Sequence, residues 1–84
     1  MTKTTNYYEM MQAEREARMT AEATEFLDTI FANYYNYYVN KLGDTYFYVP
    51  VYDLNLSIYK IVEIARARGI DAKYKRDRLI VVRI

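Results

Sequence analysis

Residues 32–41, ANYYNYYVNK, set four tyrosines among three asparagines. The fold turns on whether this is a low-complexity tract, an exposed aromatic platform or a helix. At 100° per residue the tyrosines fall together: Phe26, Leu27, Ile30, Phe31, Tyr34, Tyr35, Tyr37, Tyr38 and Leu42 share an arc of roughly 180°. Asn33, Asn36 and Asn40 fall opposite, with Glu22, Glu25 and Thr29. The spacing predicts an amphipathic helix over 21–42, tyrosines inward and asparagines outward. Thr20 is placed to cap its start and Gly43 to end it in a left-handed conformation.

An arc that wide exceeds the stripe of about 100° that one neighbour covers. Tyrosine suits half-wet positions, with the ring buried and the hydroxyl at the rim. Phe31, Tyr34, Tyr35, Tyr37 and Tyr38 are therefore the candidate partner or dimer interface, since aromatic residues are enriched where proteins meet.

Working outward, residues 6–18 also read as helical, with Glu14 and Arg18 spaced for an i,i+4 pair. Their apolar face is thin, so 6–18 reads as an extension of that helix or as a semi-independent arm, 1–19 being a candidate loosely attached arm on a core of 20–84, with 1–5 loose. After Gly43 the period changes to two. In TYFYVPVY (45–52), Thr45, Phe47, Val49 and Val51 alternate with Tyr46, Tyr48, Pro50 and Tyr52. Pro50 cannot donate to a ladder, which places this strand at an edge or Pro50 near its end. Residues 55–68 return to helical spacing, with Asn55 or Ser57 as cap and Gly69 as terminator. Residues 70–75 and 78–84 read as a hairpin, the last strand nearly continuously apolar.

The order α–β–α–β–β predicts one small two-layer α+β domain. A three-stranded mixed sheet, with 78–84 between the other two strands, carries helices packed on it, and helix 55–68 makes the right-handed crossover. The outward tyrosines of strand 45–52 evoke sheets that stack on unpaired bases. They are expected instead to be covered by a helix such as 6–18. A winged-helix arrangement needs two helices between its first strand and its wing, and the 17 residues between Tyr52 and Ile70 hold one.

Composition narrows the chemistry. With 84 residues, 52% hydrophobic and 27% charged, the chain is globular rather than disordered. Without histidine or cysteine it lacks the commonest general base, the thiol nucleophile and the usual zinc ligands. Its one serine, Ser57, has a capping role, and both glycines have terminating roles, so no phosphate loop is present. No catalytic residue, metal or cofactor is expected.

The net charge of +1 is unevenly spread. Residues 1–44 carry four basic and seven acidic side chains, whereas 66–84 carry seven basic and two acidic. Arg66, Lys73, Tyr74, Lys75, Arg76 and Arg78 are the candidate contacts for a nucleic acid or anionic partner, and a solvated edge strand is their ordinary reading.

The expectation is a non-enzymatic protein–protein interaction module, soluble in the cytoplasm, partnering another protein and itself as a homodimer through helix 21–42. Its size and lack of catalytic groups suit a virus-encoded inhibitor of a host defence or regulatory protein. The alternative is nucleic-acid binding through the basic hairpin.

Overall fold

A computed structural model describes residues 7–84. The expectations for residues 1–5 and for the start of the first helix at residue 6 lie outside the described residues. The chain folds as the small two-layer α+β domain expected, in the order α–β–α–β–β.

The N-terminal helix is one unbroken rod with alternating geometry. Helix α1 (Tyr7–Phe26) passes into a π-helical segment (Leu27–Phe31), then α2 (Ala32–Tyr35), then a second π segment (Asn36–Lys41). Thr20 therefore lies inside α1 and caps nothing, which corrects the expected helix start there, and residues 7–18 are the extension, one of the two readings. Ending at Thr20 would have left backbone groups unbonded where α1 already packs on the later helix.

The alternation has a cause in the residue pattern. Covered side chains recur every four residues: Ala23, Phe26 with Leu27, Phe31, Tyr34 with Tyr35, and Tyr38 with Val39. In a pure α-helix a four-residue repeat drifts by about 40° per step, or about 160° from Ala23 to Val39. The wider i→i+5 turns of the π segments take up this drift and keep one row of side chains on the sheet. Leu42 N–H donates to the Tyr37 carbonyl at 3.0 Å, such a wide turn. Outside, the Thr29 hydroxyl bonds the Glu25 carbonyl at 2.7 Å, and Asn40 donates to the Asn36 side chain at 3.0 Å. Gly43, at φ 73°, ends the rod as expected, and the N–H groups of Gly43 and Asp44 turn back onto the carbonyls of Val39 and Tyr38.

The sheet comprises β1 (Tyr46–Pro50), β2 (Asp71–Tyr74) and β3 (Leu79–Arg83) in the order β1-β3-β2, with the last strand central as predicted. The two outer strands run the same way but are not neighbours, so both ladders are antiparallel rather than mixed. Phe47, Val49, Ala72, Ile80 and Val82 point to one face, where they join Ile58, Ile61 and Ala65 of α3 (Ile58–Ala67) and the covered row of the long helix in one core. Ser57 caps α3 by accepting from Lys60 N–H at 3.2 Å. Gly69, at φ 85°, ends it in a Schellman motif, with Gly69 N–H on Arg66 and Ile70 N–H on Ala65.

Two ion pairs tie the rod to α3. Arg68 meets Asp28 at 2.9 Å, and Lys60 bonds Glu16 while also meeting Glu63 at 3.2 Å. The Glu16 carboxylate, then Glu63, hold the Lys60 ammonium above the ordinary lysine range. A raised pKa means that this stabilisation is present in full below the unfolded value of 10.5 and is lost as pH climbs through the folded value above it. Thermal melts of the wild type and Lys60→Met, followed from neutral pH upward, should therefore differ by a constant margin that collapses only above 10.5. A margin unchanged across that range would show that the pair contributes nothing.

Candidate functional site: a tyrosine-lined strand edge

Phe47 in the middle of β1 organises the aromatic residues. It is 3% exposed, and three rings of the long helix converge on it. Tyr38 stacks at 5.7 Å, Tyr35 meets it edge-on at 6.0 Å and Phe31 tilts against it at 6.1 Å. From Tyr38 the contacts run outward, to Tyr34 stacked at 6.1 Å and Tyr37 edge-on at 5.0 Å. Helix geometry produces this order, because residues four apart share the face while Tyr37 lies at its border.

The five residues expected to form an interface therefore divide. Phe31 is core, Tyr34, Tyr35 and Tyr38 are half-buried against it, and Tyr37 is 50% exposed. Ile30 and Leu42, which the 100° projection also placed inside, are largely exposed.

The opposite face of β1 carries a second aromatic pair, Tyr46 and Tyr48, with rings 6.0 Å apart at right angles. They are 56% and 42% exposed. Among the described residues no helix gives the expected cover: the rod and α3 share the core on the other face, because the strand residues of that core are all of one parity. Cross-strand neighbours on the open face are Val81, Lys73, Arg83 and Asp71.

Between the two tyrosine groups runs the free edge of β1. Val51 N–H donates to the Arg78 carbonyl at 2.9 Å and Ile84 N–H to Thr45 at 2.8 Å. With the observed register, Thr45, Phe47, Val49 and Val51 point their backbone groups at β3, so Tyr46, Tyr48 and Pro50 point theirs away from the sheet. Pro50, with no N–H, thus sits where no ladder bond is lost. A cleft of about 360 Å³ follows this edge, lined by Tyr38, Asp44, Thr45, Tyr46, Phe47 and Tyr48. Pro50 carried the one sequence signal for this edge: its parity with Tyr46 and Tyr48 marks all three as edge-facing.

The basic group does not converge. Arg78 is turned inward, its guanidinium donating to the carbonyls of Val51 at 2.8 Å, Asp53 at 2.9 Å and Leu56 at 2.9 Å. Tyr74 packs on Tyr59 of α3 at 5.2 Å, on the core side of the sheet. Lys73 points to the open face, Lys75 and Arg76 lie exposed at the hairpin tip, and Arg66 belongs to the last turn of α3.

Among the described residues no cluster of three Asp or Glu side chains could hold a metal, and none of their polar residues is buried. None of their helices is long and apolar enough to cross a membrane. What the site offers is ring faces, phenolic hydroxyls and a row of backbone donors and acceptors left unpaired by the sheet. Comparison with protein-family models, curated proteins and solved structures finds no match.

Proposed function

We propose that this chain is a non-enzymatic protein–protein interaction module of the cytoplasm, acting as a homodimer, whose binding surface is the tyrosine-lined edge of β1. The observation that carries this reading is the exposure of Tyr37, Tyr46 and Tyr48 on both sides of a strand whose outer N–H and C=O groups are unpaired within the sheet. Tyrosine gives large contact area for little lost side-chain freedom, and an open strand edge adds directional hydrogen bonds. Inhibition of a bound host protein, as by small viral accessory proteins, is the regulatory role this reading favours; the lack of histidine and cysteine supports it.

A tagged pull-down from the native host, with and without nuclease, tests the reading with two folded variants. A protein should be recovered under both conditions, lost with Tyr37→Ser/Tyr48→Ser and retained with Lys75→Glu/Arg76→Glu. Recovery of nucleic acid alone, abolished by the charge reversal and weakened steeply by salt, would overturn it in favour of the hairpin. Arg78 is left intact in this comparison, because its reversal would disturb the fold.

A further inference from the structure

We infer that the partner seated on the β1 edge is a second copy of this chain, joined by antiparallel β1–β1 pairing about a two-fold axis through Phe47. This rests on reading the edge as a protein-binding surface and names its occupant. The result is one continuous six-stranded sheet, with both β1 strands central and both β2 strands outermost.

The backbone groups of the edge are self-complementary in this register. Tyr46 faces the partner's Tyr48, and Tyr48 faces the partner's Tyr46. Each pair exchanges two N–H···O bonds, because both residues direct their backbone away from β3. The next pair outward is Pro50 with the partner's Asp44. Pro50 has no N–H, and Asp44 N–H is already bonded to the Tyr38 carbonyl at 2.8 Å. The pairing therefore stops at both ends without leaving a donor unbonded. The limits are symmetric, as an isologous interface requires.

Charge allows the same contact. No charged residue occurs from Thr45 to Tyr52, so two copies meet there without like-charge repulsion. The other sheet edge differs: β2 carries Lys73, followed by Lys75, and lysines at an edge discourage strand addition. A neutral, aromatic edge left open is an aggregation hazard, and a two-fold closes it at two copies.

A four-bond strand pair alone buries less than the roughly 1,000 Å² that a specific interface needs. The exposed tyrosines supply more. Tyr46 and Tyr48 of both copies form a four-ring cluster on the open face. On the other face the cleft beside Tyr38 lies against its own symmetry mate, with Tyr37 at the margin.

Sedimentation velocity over a concentration series, with residue-resolved hydrogen exchange, tests the inference. The wild type should sediment as a dimer. The Tyr46 and Tyr48 amides should exchange at least about tenfold more slowly in concentrated than in dilute samples. Tyr48→Pro removes an N–H that takes no part in the β3 ladder, so it should keep the wild-type circular dichroism spectrum and be monomeric. Tyr48→Lys retains the N–H but sets like charges across the axis, and should also be monomeric, which covers the case in which the proline variant fails to fold. A wild type that stays monomeric overturns the inference, as does a dimer whose Tyr46 and Tyr48 amides exchange freely. If those amides become protected only when a different protein is added, the second copy is excluded while the reading of the edge as a protein-binding surface stands.

Discussion

Replacing Phe47 with alanine should cost about 4 kcal/mol of stability, the range found when a buried phenylalanine is truncated to alanine. The residue is almost wholly buried and receives Phe31, Tyr35 and Tyr38, so truncation removes its own contacts and leaves three rings facing a void. A domain of this size holds on the order of 5–10 kcal/mol in all, which makes the loss a large fraction of the total. Chemical denaturation at neutral pH measures it directly. Phe47→Leu keeps most of the volume and should cost about half as much, and the cost that remains reports the lost ring–ring contacts. Because Tyr38 stands on Phe47, the alanine variant should also loosen the second π segment, visible as faster amide exchange over Asn36–Lys41. A leucine variant as stable as the wild type would mean that the ring–ring contacts are spectators.

Much of the fold is legible in the residues because local and tertiary preferences agree there. The alternation of TYFYVPVY, the serine before α3 and the glycines after each helix each point to one local conformation, and the packing accepts it. The order of strands also follows, since the most apolar strand belongs in the centre. The long helix is different. A four-residue repeat projected at 100° per residue spreads into a broad arc, and that breadth suggests more covered surface than exists. The π turns that reconcile the repeat with a single face arise from packing against Phe47 and α3, and no local propensity encodes them. The same mismatch leaves Tyr37, Ile30 and Leu42 outside.

The site was less legible than the fold for a similar reason. An exposed tyrosine and a covered one have the same sequence signature, so Tyr38 and Tyr37 could be separated only by knowing the rod's true period. Whether Tyr46 and Tyr48 were covered depended on which face of the sheet the rod crosses, a tertiary choice. The basic run shows the converse limit. Charge alone put Arg78 with Lys75 and Arg76, but its backbone direction, set by the hairpin turn, sends the side chain the other way.

Arg78→Ala should be the most damaging change to a residue that is not in the hydrophobic core. The guanidinium bridges three carbonyls of the connection between β1 and α3, those of Val51, Asp53 and Leu56, while the Arg78 carbonyl accepts from Val51 N–H. Hydrogen bonds from a charged donor contribute about 1.5–3 kcal/mol each and are not additive, so a total loss of about 3 kcal/mol is expected. For a domain of this length that corresponds to roughly 12–24 °C in melting temperature. Asp77 and Arg78 both lie at positive φ, 56° and 59°, where a non-glycine side chain is held at a cost. The clamp explains why arginine is tolerated there: the left-handed backbone aims its side chain back across the end of β1. Arg78→Gly separates the two effects. It loses the same three bonds but relieves the backbone cost, and should melt above Arg78→Ala by about 1 kcal/mol. Lysine cannot span three carbonyls with one ammonium and should rescue little. Should Arg78→Ala melt with the wild type, the connection would be held by the bonds that survive the change, from Asn55 N–H to the Asp53 carboxylate, Leu56 N–H to the Asp53 carbonyl and Val51 N–H to the residue-78 carbonyl, and Arg78 would return to the set of free cations at the hairpin.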